Sequence, residues 1–178
     1  MTEEAIFAGF GGQGVLSMGK MLAYAGMTDG KEVCWMPSYG PEMRGGTASC
    51  TVIISDEPIS SPIIARYDTV VALNQPSIDK FLDKVKTGGT LIIEKSTCTK
   101  MPVRDDIKII VVDGNEEALK LNNLKVLNMV IIGAFLAARK TVTIENFVKS
   151  LYKALPERHH KMIPLNEQAI KIGMSYVK

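Results

Sequence analysis

The stretch GFGGQGVLSMG, residues Gly9 to Gly19, decides the fold class of this chain. It overlaps the end of an apolar run, Ala5 to Phe10, which predicts a short buried strand. Behind the glycines, apolar residues recur at helical spacing from Val15 to Asp29, and Gly30 supplies a stop signal. The sequence therefore predicts a strand, a tight glycine turn and a helix in direct succession.

The remainder of the chain repeats this alternation of short apolar strands and amphipathic helices. Residues 31–36, 69–73, 91–93 and 107–112 predict strands, whereas residues 78–85, 127–138, 143–155 and a tail from about Pro164 predict helices. Gly88 and Gly89 are expected to end the helix before the strand at 91–93. Residues 47–54 alternate between apolar and small polar side chains, which indicates a strand with one partly covered face. We predict a three-layer α/β/α Rossmann-like domain whose sheet is mostly parallel and has room for an antiparallel strand.

The composition is that of an ordinary globular protein and excludes several function classes. The chain has 178 residues, of which 46% are hydrophobic and 22% charged, and a formal net charge of +2. This balance does not favour nucleic-acid binding or a polybasic membrane surface. No stretch approaches the roughly 20 apolar residues of a membrane span, and the acidic start lacks the features of a signal peptide. We expect one domain over residues 1–178 and a cytoplasmic location.

The cysteines and histidines do not form a recognisable metal or catalytic motif. Cys34, Cys50 and Cys98 are far apart and include no C-x-x-C pair, so neither a disulfide framework nor a cysteine-ligated cluster is expected. The two histidines are the adjacent pair His159 and His160, with no third ligand in view. We therefore predict no metal site and no catalytic residue in this chain.

The spacing G-x-G-x-x-G over residues 9–14 matches the dinucleotide-binding pattern, and the rest of the sequence tests that hypothesis. A nicotinamide site requires an acidic residue at the end of the second strand to bind the ribose hydroxyls. Here the predicted second strand is followed by residues 37–39, none of which is acidic, and Glu42 lies several residues beyond the end of the strand. The missing carboxylate weakens the hypothesis of a self-contained NAD(P)-dependent reductase, which stays open as the alternative.

Two loops that follow predicted strands are the candidate functional site. The glycine turn offers positive φ, close backbone approach and the free N–H groups of a helix N-terminus, all of which suit an anion or a partner chain. The loop 37–46 sets a phenol, a carboxylate and a guanidinium among turn-forming residues, although a solvated surface loop could have the same composition. The candidate ligand-binding or subunit-contact residues are Gly9, Gly11, Gly12, Gln13, Gly14, Ser38, Tyr39, Gly40, Glu42 and Arg44.

Three motifs, in the same order, resemble the gamma subunit of the 2-oxoacid:ferredoxin oxidoreductases. They are the runs Gly9 to Gly14, Trp35 to Gly46 and Leu124 to Gly133, and the resemblance covers nearly the whole chain. The middle run contains Trp-x-Pro-Ser-Tyr-Gly, which is more similar to the 2-oxoglutarate type than to the pyruvate type. The resemblance implies a single gamma-type domain over residues 1–178.

The resemblance also implies a role within a larger enzyme. Such enzymes decarboxylate a 2-oxoacid on thiamine diphosphate, pass electrons through iron–sulfur clusters to ferredoxin and release an acyl-CoA. By this resemblance, thiamine diphosphate and Mg²⁺ belong to alpha and beta subunits, and the clusters to beta or a ferredoxin-like subunit. This chain would then be a structural or CoA-side auxiliary that binds no cofactor itself and is inactive in isolation. A non-enzymatic scaffold in a different complex is the third hypothesis.

Overall fold

One six-stranded sheet with helices on both faces accounts for the fold. The computed structural model describes residues 1–40 and 46–177. The strands are β1 (Thr2–Phe10), β2 (Glu32–Tyr39), β3 (Thr47–Ser55), β4 (Tyr67–Ala72), β5 (Val85–Glu94) and β6 (Lys108–Val112). The helices are α1 (Val15–Thr28), α2 (Gln75–Phe81), α3 (Gly114–Lys120), α4 (Leu127–Arg139), α5 (Ile144–Ala154) and α6 (Ile163–Met174). Short 3-10 segments lie at Leu82–Lys84, Lys95–Thr97, Leu124–Val126 and Glu157–Met162.

The sheet has the strand order β2-β3-β1-β4-β5-β6. Strands β1, β4, β5 and β6 pair in parallel, and β3 pairs antiparallel with both β1 and β2. The predicted fold class is confirmed, including the antiparallel strand. The alternation at residues 47–54 has a simple cause, because Ala48, Cys50 and Val52 face the core beneath α1 while the polar residues face the other side of the sheet.

Five helices, α1 and α3 to α6, cover one side of the sheet, which we call the helix face. Phe7 of β1 meets Phe135 of α4 there, with ring centroids 5.5 Å apart. Helices α4 and α6 cross at Gly133 and Gly173, where a Cβ on either glycine would overlap a backbone carbonyl of the other helix. This close approach lets the two helices bury a continuous apolar core against the sheet.

The opposite side, which we call the α2 face, has a much thinner cover. Helix α2 packs its Ile78 and Phe81 over β1, β4 and β5. Beside it, residues 98–107 return from the end of β5 to the start of β6, and Ile107 packs on the same small core. Lys100 N donates to Gln75 Oε1 (2.9 Å) at one end of this crossover, which fixes it along the flank of α2.

The structure differs from the sequence-based expectation at three places. Strand β2 continues through Pro37 to Tyr39 instead of ending at Met36, because proline is tolerated on an edge strand. Gly88 and Gly89 lie inside β5 and do not end a helix; α2 stops at Phe81. Helix α3 was not predicted. None of the helices in the described ranges has the length and apolar character needed to cross a lipid bilayer.

Candidate functional site

The glycine turn lies where the carboxyl ends of β1 and β4 meet, and the chain leaves β1 and β4 toward opposite faces of the sheet. Helix α1 covers the helix face and α2 the other face, so this is the topological switch point at which open α/β sheets bind ligands. Gly12 and Gly14 have φ of +99° and +78°. A Cβ on Gly12 would meet nothing within 4 Å, so the space beside it is open. Glycine is needed at this position because of the positive φ and not because of a close contact.

Gln13 holds the turn together. Its Oε1 accepts a hydrogen bond from Phe10 N (2.6 Å), and its Nε2 donates to Leu73 O (3.0 Å), which joins the end of β1 to the end of β4. A Cβ on Gly9 would lie 2.6 Å from that Oε1, so the glycine makes room for the amide. Both polar groups of Gln13 are therefore engaged within the chain.

The N-terminus of α1 opens from this turn toward solvent. Gly14 is the N-cap, no side chain caps the helix, and its first turn contains no acidic residue. The first-turn N–H groups of a helix have no intrahelical acceptor and carry a partial positive charge. They border a cleft of about 300 Å³ lined by Phe10, Leu16 and Tyr39, among others.

The second sequence motif meets the glycine turn at the same edge of the sheet. Gly11 N donates to Gly46 O (2.8 Å), which ties the turn to the start of β3. Ser38, Tyr39 and Gly40 then line a second cleft of about 220 Å³ whose floor includes Gly9. Glu42 and Arg44 lie outside the described residues.

Two lysines that sequence analysis did not select stand beside these glycines. Lys80 of α2 lines the 220 Å³ cleft, and Lys125 lines a third cleft of about 290 Å³ together with Gly12 and Gly14. Neither lysine has an ion-pair partner within residues 1–40 and 46–177. Lys80 also lies 5.2 Å from the ring centroid of Phe81. Their charges favour an anion at the turn.

The carboxylate of Glu94, near this edge, is hydrogen-bonded within the chain. Glu94 ends β5 fully buried, and its Oε2 accepts from Ser96 Oγ (2.9 Å), Thr97 N (3.1 Å) and Thr97 Oγ1 (2.9 Å). Its Oε1 accepts from Asn115 N (3.2 Å) at the start of α3. Glu94 therefore anchors the loops behind the turn. Asn128 packs against Gly14 and buries its Oδ1 without a hydrogen-bond partner in the described part of the chain.

Cys50 and His160 make contacts within the chain. Burial raises the pKa of Cys50 to about 12, and its thiol donates to Val15 O (3.4 Å). The His160 ring lies edge-on to Tyr152, with centroids 5.2 Å apart. Within the described residues, no three His, Cys, Asp or Glu side chains are placed to hold a metal ion together.

The strand order bears on the dinucleotide alternative. In the classic dinucleotide-binding order, the second strand lies next to the first, so its acidic residue reaches the ribose. Here β3 separates β1 from β2, which places the end of β2 about two strand spacings, or roughly 10 Å, from β1. This arrangement disfavours a nicotinamide site on the glycine turn.

Comparison with known proteins agrees with these features. Residues 4–176 match the family model described as pyruvate ferredoxin/flavodoxin oxidoreductase, and the chain belongs to this family. The ketoisovalerate oxidoreductase subunit VorA of Methanothermobacter thermautotrophicus is 37% identical over 171 residues, which are 96% of this chain and 35% of that protein. The chain thus spans about a third of that relative. The 2-oxoglutarate synthase subunit KorC of Methanocaldococcus jannaschii is 36% identical over 162 residues, which are 88% of this chain and 86% of that protein.

Two solved structures share the fold. The gamma subunit of a keto/oxoacid ferredoxin oxidoreductase from Geobacter sulfurreducens has a TM-score of 0.81 and 31% identity, with 98% of this chain and 97% of that chain covered. The 2-oxoglutarate:ferredoxin oxidoreductase from Magnetococcus marinus, with 2-oxoglutarate, coenzyme A and succinyl-CoA bound, has a TM-score of 0.86 and 20% identity. It covers 98% of this chain and 31% of that chain, and the likeness shows the fold alone.

Proposed function

We propose that this chain, as a single gamma-type domain, is a subunit of a 2-oxoacid:ferredoxin oxidoreductase. Such an enzyme oxidatively decarboxylates a 2-oxoacid with CoA to an acyl-CoA, CO₂ and reduced ferredoxin. The observation that carries the proposal is the family match over residues 4–176, supported by the end-to-end likeness to a separate gamma subunit. We propose a cytoplasmic complex with alpha, beta and ferredoxin-like subunits.

In this proposal the chain supplies shape and charge, and its partners supply the catalytic groups. Both carboxylate oxygens of the buried Glu94, at the same edge of the sheet, accept hydrogen bonds from neighbouring loops. The described residues likewise bring together no three metal-ligating side chains. From the family resemblance we assign thiamine diphosphate, Mg²⁺ and the iron–sulfur clusters to the other subunits, and we expect the isolated chain to be inactive.

We further propose that the glycine turn faces CoA. The uncapped N-terminus of α1, Lys80 and Lys125 surround the turn, and CoA carries phosphate groups that such a site would bind. Gly9, Gly11, Gly12, Gly14, Ser38, Tyr39 and Gly40 form the clefts between them. The Magnetococcus marinus enzyme, which contains the same fold, has coenzyme A bound.

For the substrate we propose 2-oxoglutarate. KorC, a 2-oxoglutarate synthase subunit, matches this chain over most of both lengths. The relatives also include subunits named for ketoisovalerate and pyruvate, so the assay has to compare all three acids.

The test is an anaerobic affinity purification of the chain from its native cells, followed by mass spectrometry and an assay of CoA-dependent viologen reduction. We expect co-elution of thiamine-dependent partner chains and fastest reduction with 2-oxoglutarate, compared with pyruvate and 2-oxoisovalerate. A faster rate with another acid would replace the proposed substrate. Recovery of a lone, inactive chain, under conditions that preserve other complexes, would overturn the proposed function.

The CoA assignment has its own test in the purified complex. Lys80→Gln and Lys125→Gln should each raise the KM for CoA about fivefold, which corresponds to about 1 kcal/mol of lost charge interaction. The KM for the 2-oxoacid and the Tm should not change. Lys153→Gln, an exposed lysine in the last turn of α5, is the matched control. If Lys80→Gln and Lys125→Gln leave the KM for CoA unchanged, as the control does, the turn does not face CoA.

A further inference from the structure

A cavity within the helix layer adjoins the glycine turn. It lies among α1, α4, α6 and the 3-10 segment Glu157–Met162, and its volume is about 170 Å³. Lys125 and Asn128 line this cavity and also the 290 Å³ cleft beside Gly12 and Gly14, so the two spaces share a wall. Together they reach the size of ordinary ligand sites, roughly 300–1,000 Å³. We call the 170 Å³ space the helix-layer cavity.

Two carboxamides at this cavity lack hydrogen-bond partners. Asn166 of α6 lines the cavity and is only 8% exposed, and its side chain bonds to no group in the described part of the chain. Asn128 of α4 likewise buries its Oδ1 without a partner among the described residues. Buried amides are normally hydrogen-bonded, so an unpartnered Asn166 requires an explanation. A ligand with both a donor and an acceptor would satisfy its amide.

The other walls of the cavity are soft and apolar. Met21 of α1, Met129 of α4 and Met162 contribute thioethers, and Val126 and Leu155 add aliphatic groups. Thioethers make favourable contacts with aromatic rings. No Asp or Glu is among the described residues that line the cavity, so it offers no counter-charge to a metal ion or an amine. These walls suit a flat, uncharged aromatic ring.

Positive charge lies at the end of the cavity that faces the glycine turn. Lys125 stands where the cavity meets the 290 Å³ cleft. The uncapped N-terminus of α1, at Gly14, borders the same cleft. A lysine and a helix N-terminus together bind phosphate, and an asparagine carboxamide pairs with N6 and N7 of adenine. A ligand with adenine at one end and phosphate at the other would satisfy both ends of the site.

We infer that the helix-layer cavity binds the adenine ring of an adenosine phosphate whose phosphate lies at Lys125 and the N-terminus of α1. CoA and free adenine nucleotides both carry this group. The inference deepens and rests on the proposed function, in which the glycine turn faces CoA, and it adds the site of the base. The base would lie among α1, α4 and α6, so it needs no acidic residue at the end of β2, unlike the nicotinamide alternative.

The first experiment is calorimetric titration of the purified full chain with AMP, GMP and inorganic phosphate. We expect AMP to bind with a Kd below about 1 mM and at least about tenfold more tightly than GMP. Asn166→Leu should weaken AMP binding at least about tenfold and leave phosphate binding unchanged. Gln168→Leu, which replaces an exposed amide of the same helix, is the matched control and should change neither.

The Tm of the free chain separates a binding role of Asn166 from a structural one. Because the amide is buried without a partner, Asn166→Leu should keep or raise the Tm. Ser17→Trp is a second variant, since Ser17 is exposed on α1 at the rim of the cavity. Its indole should take the space of the base and weaken AMP binding without lowering the Tm.

The purified complex distinguishes the two sources of the adenosine phosphate. If Asn166→Leu raises the KM for CoA about tenfold and leaves the KM for the 2-oxoacid unchanged, the adenosine end of CoA is the ligand. If the variant loses AMP binding but keeps the KM for CoA, the ligand is a free nucleotide. Either result supports the cavity as an adenine site.

Three outcomes overturn the inference. The first is that AMP does not bind and Asn166→Leu leaves the KM for CoA unchanged. The second is that AMP and GMP bind equally well, so the base is not recognised. The third is that Asn166→Leu lowers the Tm while Ser17→Trp leaves AMP binding intact, so the amide is structural. Recovery of a chain without partner subunits that still binds AMP would overturn the proposed function and leave the adenine site standing.

Discussion

The two faces of the sheet differ in how completely the chain itself covers them, and two neighbouring residues of β1 show the difference. Glu3 points to the helix face and is 1% exposed, bonded to Thr69 Oγ1 (2.6 Å) and Arg139 Nε (2.8 Å). Glu4 points to the other face, where it meets Lys86 Nζ (2.7 Å) with 28% of its side chain exposed. The helix face thus buries its β1 carboxylate completely, whereas the α2 face leaves the Glu4–Lys86 pair partly exposed to solvent.

The largest expected effect tests the packing of the helix face. Gly173→Ala would place a Cβ against the Val130 carbonyl of α4, so α4 and α6 must separate and the core must open. We expect a loss of at least about 4 kcal/mol in the free energy of unfolding, or no folded protein. Urea denaturation followed by circular dichroism measures it. Gly40→Ala is the control, since a Cβ there would meet nothing and Gly40 does not have positive φ; equal effects of the two variants would contradict the packing argument.

The next effect comes from the buried ion pair of the helix face. Arg139→Ala leaves the Glu3 carboxylate buried without its counter-charge, and we expect a loss of about 3–5 kcal/mol at neutral pH. The double variant Glu3→Gln with Arg139→Ala removes the buried charge and should recover part of that loss. Urea denaturation of the wild type, Arg139→Ala and the double variant measures these free energies of unfolding. No recovery in the double variant would show that Arg139 acts through packing and not through charge.

The pH dependence of these variants follows from Glu3. Burial raises the pKa of the Glu3 carboxyl, and the hydrogen bonds from Thr69 and Arg139 act against that rise. A carboxyl with a raised folded-state pKa contributes stability that is complete below its unfolded pKa and is lost as pH rises through the folded pKa. Without Arg139 the pKa rises further, so Arg139→Ala should lose less stability at about pH 5 than at about pH 8, whereas the double variant should show no such difference.

The smallest effect is expected on the α2 face. Lys86 bridges Glu4 and Asp68 (2.7 and 2.8 Å) while 38% of its own side chain is exposed. Because solvent screens these ion pairs, Lys86→Ala should lower the free energy of unfolding by no more than about 1 kcal/mol, as measured by urea denaturation. About 0.5 M salt should reduce this loss further. A loss as large as that of Arg139→Ala would remove the distinction between the two faces.

Sequence patterns predicted the elements whose signals are local. Helix α1 behind the glycine turn and the alternating strand β3 follow from the spacing of apolar residues and were placed correctly. Gly89 was misinterpreted as a helix stop because its role is non-local. A Cβ at Gly89 would lie 2.8 Å from Asp68 O, next to the irregular pairing of β4 and β5. Only the neighbouring strand explains that glycine.

The candidate site was predicted in part for the same reason. The glycine turn and Tyr39 meet at one edge of the sheet, as expected from two loops that follow strands. Lys80 and Lys125 were missed because they come from distant helical segments with no sequence motif that marks them. The role of Gln13, a candidate contact residue, in joining β1 to β4 also depends on the tertiary structure, because its amide bonds to Phe10 and to the distant Leu73.

The sequence by itself determined the strand, turn and helix at residues 2–28, the fold class and the family resemblance, because glycine conformation and apolar periodicity are properties of neighbouring residues. Only the tertiary structure decided that β3 lies between β1 and β2, which lysines flank the turn, and which helices pack on each face of the sheet. Those features depend on contacts between segments far apart in the chain, and local periodicity carries no information about which strands become neighbours.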